Sequence, residues 1–374
     1  MLAARFSLFI VIVLSLSPCR LVEAEESATA PFKVGVASRR FLPDKTYNWR
    51  HAATHELLTT VWYPGDAASV EQPQWIGPPA SPLFSAGSAA PDAKLSSAPA
   101  KFPLVVLSHG TGGSALMMAW LGTVLASHGY IAAAVNHPGN NATEDYTAEG
   151  FTFWWERATD LTVVIDQMLR DATFGARIDA NRIGAAGFSL GGYTMIEIAG
   201  GITVPAAFDR FCKSSKADAI CKSPPEFPDL RAKYDQLTKL AKNDAVVADA
   251  FHHASDSRRD GRVRAVFAIA PALGPAFDTK SLEKISIPVE IVAGDADQNV
   301  PVASSAKYFA AHIAEAKLTL LSGGVGHYVF LDTCTDAARH INPVLCTDGP
   351  GVDRADIHSK TAEMALSFFD SNLR

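Results

Sequence analysis

The sequence predicts an α/β protein with a mainly parallel central sheet and helices on both faces. Three observations carry the prediction. Short apolar runs recur at 104–107, 131–135, 182–188, 263–269, 289–293 and 318–321, each bounded by Gly, Pro or polar residues. Stretches with helical apolar spacing follow several of them, at 114–127, 153–169 and 190–199. Strand-length runs separated by helices of about 10–15 residues read as βαβ units. The composition agrees, because 48% hydrophobic and 19% charged residues over 374 positions make a globular chain able to bury a large core.

The chain opens on what reads as a signal peptide, residues 1–24. Arg5 supplies positive charge, residues 6–16 form an apolar run, and Val22-Glu23-Ala24 places small residues for cleavage after Ala24. That run is too short to cross about 30 Å of hydrocarbon as a helix. Lipid attachment at Cys19 is the weaker alternative, because Pro18 precedes it. Cleavage would leave residues 25–374 as a secreted or periplasmic protein, and losing Arg5, Arg20 and Glu23 takes the net charge from −6 to −7. Neither value provides the basic surface that phosphate binding needs, so nucleic acid is not expected as a partner. No transmembrane segment is expected, and a monomer is the default.

Residues 32–41 and 56–63 follow as an antiparallel pair expected at the sheet edge. Residues 77–101 are rich in Pro, Ala, Ser and Gly without periodicity and are expected to form a long surface loop. Residues 203–262 interrupt the strand rhythm with mixed charge and the run Ser223-Pro224-Pro225-Glu226-Phe227-Pro228. They are expected to form a helical insertion over the carboxyl ends of the strands, where open α/β sheets bind ligands. Without Cys19, four cysteines remain in two close pairs, Cys212 with Cys221 and Cys334 with Cys346. Four cysteines allow three connectivities, and local pairing into two disulfides is the reading adopted for an exported chain. Their spacing does not suit zinc, and no metal or organic cofactor is expected.

The strongest chemical signal is Gly187-Phe188-Ser189-Leu190-Gly191-Gly192, at the end of a strand and the start of a helix. A serine held there sits on a sharp turn that only small neighbours permit, which marks Ser189 as a nucleophile. Serine needs a base, itself oriented by a carboxylate. Past the strand at 289–293 comes Gly294-Asp295-Ala296-Asp297, where either aspartate can serve; Asp297 is preferred and Asp295 is expected to brace the turn. Of the later histidines, His312 and His358 fall in helical patterns and His340 lies between two cysteines. His327 follows the flexible run Ser322-Gly323-Gly324-Val325-Gly326 and is the expected general base. The oxyanion donors are expected to be the backbone N–H of Leu190 and that of Thr111, in the loop Ser108-His109-Gly110-Thr111-Gly112-Gly113. His109 is expected to be a hydrogen-bonding structural residue. A phosphate-binding loop is excluded there, because no Gly-Lys-Ser/Thr follows.

The stretch 105–141, with Leu107-Ser108-His109-Gly110-Thr111-Gly112-Gly113, Ser127-His128-Gly129-Tyr130 and Asn136-His137-Pro138-Gly139-Asn140, resembles the predicted dienelactone-hydrolase group of the α/β-hydrolase superfamily. That group is similar to platelet-activating-factor acetylhydrolases and to bacterial polyester-degrading lipases and cutinases. The resemblance extends over nearly all of residues 25–374. It implies the α/β-hydrolase fold, the order Ser189, Asp297, His327, and oxyanion donors at Thr111 and Leu190. True dienelactone hydrolases carry Cys as nucleophile, so Ser189 points away from that substrate.

Near the site, Phe151, Phe153, Trp154 and Trp155 precede a helix, and Phe153 with Trp154 is expected to line an acyl pocket. Arg157 and Asp160, three apart, are expected to pair. Asn141-Ala142-Thr143 is a glycosylation sequon. Together these readings predict an exported serine hydrolase acting on a small-molecule, lipid or polymer ester. Amide hydrolysis by the same residues, and a non-catalytic binding module on the same fold, are the alternatives.

Overall fold

A computed structural model describes residues 31–374; the expected signal peptide, its cleavage site and Cys19 lie outside the described residues. The strands are β1 (Lys33–Phe41), β2 (Leu57–Gly65), β3 (Gln72–Ile76), β4 (Phe84–Pro91), β5 (Phe102–Ser108), β6 (Ile131–Val135), β7 (Ile178–Phe188), β8 (Val263–Ile269), β9 (Val289–Gly294), β10 (Ala316–Leu321) and β11 (Thr333–Cys334). They join in one sheet in the order β10-β9-β8-β7-β5-β6-β2-β1-β4-β11, with β3 paired to β4. From β6 to β10 every pairing is parallel, while β2 pairs antiparallel with both β6 and β1.

The central strands read as continuous apolar runs because both of their faces are covered. In β5, Leu104 and Val106 enter one core cluster while Val105 and Leu107 enter the other. The helices Glu156–Arg170 and Leu190–Ala199 cover the first face, through Leu161, Ile165, Tyr193 and Ile196. Ala119–Ser127 and Arg354–Leu373 cover the second, through Leu121, Leu125 and Phe369. The chain leaves β5 for β6 on one side and returns to β7 on the other. That reversal opens a crevice at the carboxyl ends of β5 and β7, the position where such sheets bind ligands.

Three expectations change. Residues 77–101 are not simply a loop: they contain β4, with Ala86, Ala89 and Ala90 buried and residues Gly35 and Val36 of β1 paired to Ala90 and Pro91. Backbone pairing and close packing of small side chains make this strand, and such residues lack the β-branched signature that marks a strand. The β1–β2 pair lies inside the sheet, because β4 and β11 extend it further. The helix expected at 153–169 begins at Glu156 and runs to Arg170, and a separate short helix, Ala148–Thr152, precedes it.

Between the helix Leu190–Ala199 and β8, residues 203–262 contain the helices Pro205–Cys212, Leu230–Leu240 and Ala245–His252. Disulfides join Cys212 to Cys221 and Cys334 to Cys346. Thiol titration of the unfolded chain beginning at residue 25 is expected to find no free thiol before reduction and four after it; four before reduction would contradict the bonds. Among the described residues no helix is long and apolar enough to cross a membrane.

Candidate active site

Ser189 occupies the turn between β7 and the helix Leu190–Ala199, with φ 57° and ψ −114°. Positive φ in a residue other than glycine is strained, and strain of this kind persists only where the surroundings enforce it. Here they do. A Cβ on Gly191 would lie 1.9 Å from the Ser108 carbonyl oxygen, and one on Gly187 would lie 2.4 Å from the Gly191 carbonyl oxygen. The two glycines therefore let β5, β7 and the helix start converge, and the turn lifts Ser189 into the crevice.

The structure brings Ser189, His327 and Asp297 together across 138 and 30 residues of chain. His327 Nε2 lies 2.9 Å from Ser189 Oγ, and His327 Nδ1 lies 2.6 Å from Asp297 Oδ2. With the carboxylate accepting from Nδ1–H, Nε2 is left free to take the serine proton. Asp297 Oδ1 accepts from the Asn299 and Val300 amides at 3.0 and 2.8 Å, which fixes the carboxylate plane. Phe188 packs beside the imidazole, ring centres 4.8 Å apart. All three groups are over 90% buried, so their interactions act in a medium of lowered dielectric.

Asp295 has a different position. It is exposed, and its oxygens accept from the amides of Gly323, Gly324 and Val325, each at 3.0 Å. The Gly323 amide first, aided by those of Val325 and Gly324, holds its carboxyl below the usual range. Asp295 thus ties down the glycine run that carries His327, while Asp297 contacts the ring itself.

Leu190 is the first residue of its helix, where an N–H has no intrahelical acceptor. In the loop after β5, Asn140 Oδ1 takes the Gly112 N–H at 2.7 Å and the Gly110 carbonyl takes the Gly113 N–H at 3.2 Å. The Thr111 N–H, which precedes both, has no acceptor among the described residues. A Cβ on Gly110 would lie 3.4 Å from the Ser189 Cβ, so this loop stands directly against the serine.

A cavity of about 610 Å³ opens over Ser189 and His327. Phe151 and Trp154 line it, facing Phe208, Phe227 and Tyr234 of the insertion. Trp154 stacks on Tyr234 with the rings 6° from parallel. Phe153 is placed elsewhere: it turns away into a separate cluster with Trp155, Leu237 and Val247. The break between the two helices sends these neighbouring side chains in opposite directions, so the cavity wall is Phe151 and Trp154. Two residues of the Pro-rich run carry no signal in their spacing. Phe227 packs on Gly112 and edge-on to Tyr146 and Phe151, and the Glu226 carboxylate accepts from the Tyr328 hydroxyl, next to His327. They hold the insertion over the site, and only the run's proline content hints at a fixed path.

A further expectation is corrected. Arg157 and Asp160 do not pair, although both are buried. Arg157 donates instead to the His109 carbonyl, while Asp160 is held by Arg50 and His137; partners brought in by the tertiary fold take both side chains. Asn141 of the sequon is 2% exposed; its amide donates to the His137 carbonyl and the Glu144 carboxylate, and its oxygen accepts from Thr143. In the folded protein it is closed to glycan transfer.

On the helix behind the serine, Glu197 accepts from Tyr193 and Thr203 and is fully enclosed. Burial pushes its carboxyl up to about 8, against the pull of Arg258. A folded-state value above the unfolded 4.5 means the folded protein holds the extra proton, so stability falls as pH rises from near 4.5 through 8. Each tenfold difference in proton affinity between the two states is worth about 1.4 kcal/mol. Urea midpoints measured from pH 5 to 9 are expected to fall more steeply for the wild type than for Glu197→Gln.

Comparisons with known proteins bear on the same region. The family of platelet-activating factor acetylhydrolase, isoform II, matches residues 81–152. Cutinase est1 of Thermobifida alba is 34% identical over 97 residues, a quarter of this chain and 29% of that protein. Platelet-activating factor acetylhydrolase of Bos taurus is 44% identical over 46 residues, 12% of this chain and 10% of that protein. The chain thus spans about a third or less of the curated relatives it matches. The solved ferulic acid esterase from Streptomyces cinnamoneus covers 93% of this chain, and 92% of its own, with a TM-score of 0.60 at 20% identity. The chain has the α/β-hydrolase fold, with local sequence similarity to cutinases and platelet-activating-factor acetylhydrolases.

Proposed function

We propose that this α/β-hydrolase-fold chain is an exported serine hydrolase that cleaves carboxylic esters through an acyl-enzyme. The observation that carries the reading is the continuous hydrogen-bonded chain from Ser189 Oγ through His327 to Asp297 at the floor of an apolar cavity. Ser189 attacks the ester carbonyl as His327 takes its proton, and Asp297 stabilises the imidazolium that forms. The Leu190 and Thr111 amides receive the oxyanion, each worth roughly 3–4 kcal/mol in the transition state. His327 returns the proton to the leaving alcohol, and water, activated by the same ring, releases the acid.

The named relatives, a cutinase and an acetylhydrolase with an esterase as structural neighbour, support ester chemistry over other uses of the fold. Two disulfides and the sequence of residues 1–24 support export. The cavity's aromatic wall suits an apolar acyl or alcohol group. The test is a series of p-nitrophenyl esters of rising chain length, run beside a phospholipid, a polyester film and a peptide amide. Turnover of esters with a stoichiometric burst of p-nitrophenol is expected; an absence of turnover across all the esters would overturn the reading.

A further inference from the structure

Beneath the loop 108–113 lies a second Ser–His–Asp sequence that the proposed reaction does not use. Ser108 Oγ is 2.8 Å from His137 Nε2, and His137 Nδ1 is 2.6 Å from Asp160 Oδ2. All three residues have no solvent exposure, so no substrate reaches Ser108. Asp160 also accepts two bonds at 2.9 Å from Arg50 Nη2 and one from the Tyr47 hydroxyl. A carboxylate accepting this many donors leaves His137 donating from Nδ1 and accepting at Nε2 from the Ser108 hydroxyl. Ser108 Oγ in turn accepts from Arg157 Nη2 at 3.3 Å. Every proton in the chain has one direction.

His109 connects this chain to the loop above it. Its Nε2 accepts from the His137 N–H at 3.3 Å, so its proton sits on Nδ1, which donates to the Gly110 carbonyl at 2.7 Å. Burial first, then the charge of Arg157, holds the ring well below the usual histidine range and keeps it neutral in this tautomer. The Gly110 carbonyl and the Thr111 N–H belong to one planar trans peptide, in which the two bonds point in opposite directions. The Gly110 carbonyl accepts from the Gly113 N–H at 3.2 Å and from the nearer His109 ring, and this pull toward buried His109 turns the Thr111 N–H the other way, on the side of the cavity that Thr111 lines. A donor on the carbonyl also polarises the amide and strengthens its N–H.

We propose that His109, fixed by the chain of His137, Asp160 and Arg50, is a positioning residue that aims and strengthens the Thr111 N–H for the oxyanion. The inference rests on the acyl-transfer reading above. It makes the buried Ser–His–Asp set a scaffold for the second oxyanion donor.

The test compares wild type, His109→Ala and His109→Asn on p-nitrophenyl acetate, with the affinity of a phenylboronic acid as a tetrahedral mimic. Loss of an oxyanion donor costs about 100- to 1000-fold, and misaiming one is expected to cost roughly 30- to 100-fold in kcat with KM within about 3-fold. Boronate affinity is expected to fall in parallel. The Asn amide nitrogen stands one bond from Cγ, as Nδ1 does, and is expected to restore kcat to within about 5-fold of wild type. If His109→Ala does not fold, His109→Asn against His109→Gln decides, because Gln places its donor one bond too far. Unchanged kcat in His109→Ala, a rise in KM alone, or no difference between Asn and its comparison variant would overturn the proposal. Absence of turnover by the wild type would overturn the acyl-transfer reading, and this inference with it.

Discussion

Ser189→Ala is expected to lower kcat for p-nitrophenyl esters by about 10⁶-fold while the protein stays folded. The magnitude follows from the way such a site acts as a whole: once the nucleophile is gone, the base and its carboxylate have nothing to activate. What remains is the contribution of oxyanion donors and binding, roughly 10³–10⁴-fold over water. The substitution removes one oxygen at a residue already 8% exposed, on a turn whose backbone is enforced by Gly187, Gly191 and their close neighbours. Thermal unfolding should therefore move by no more than a few degrees, since among the described residues the hydroxyl's one hydrogen-bond partner is His327. Activity within 100-fold of wild type would remove Ser189 from the mechanism.

Asp297→Asn is expected to cost about 10⁴-fold in kcat, by the same reasoning that applies where a triad carboxylate becomes an amide. An amide nitrogen beside His327 Nδ1 drives the ring into the other tautomer, with the proton on Nε2 where it meets the serine hydroxyl. Asp295→Asn should cost about tenfold or less. It leaves an oxygen to accept from the Gly324 and Val325 amides but sets an N–H against the Gly323 N–H, which loosens the loop without touching the ring. The two substitutions stand close together in the chain and are equal in size and in charge change. Comparable losses from both would contradict the separation of roles.

Much of this was legible in the sequence, for reasons that differ by element. The strands β5 to β9 announce themselves because both faces are buried, and burial on both faces writes an unbroken apolar run. β4 does not, because its Ala, Ser and Gly residues lack the β-branched and aromatic signature that marks a strand. The Ser189 turn was readable because it needs Gly187 and Gly191 beside it, and the approach to His327 because Gly323 and Gly324 take positive φ; glycine is punctuation that survives in one dimension. The choice between Asp295 and Asp297 rested on which side of a turn each projects from, and the structure places only Asp297 against the ring.

The remaining misses share a cause. Arg157 and Asp160 look like partners at a spacing of three, yet their acceptors and donors come from residues 47, 50, 108, 109 and 137, brought in by the tertiary fold. Phe153 and Trp154 are neighbours separated by a helix break, and no periodicity says which of them faces the cavity. Phe227 enters the site from a Pro-rich run with no regular pattern at all. Long-range partners are set by packing, and packing is not written locally.

The central claim is that Ser189, activated by His327, carries the acyl group. Labelling the protein with a p-nitrophenyl phosphonate ester, followed by intact mass and peptide mapping, tests it without reference to any chosen substrate. One phosphonyl group per chain on Ser189 is expected, with none on Ser189→Ala and labelling slowed by several orders of magnitude in His327→Ala. A protein that hydrolyses esters yet takes the label elsewhere, or takes none, would contradict the account.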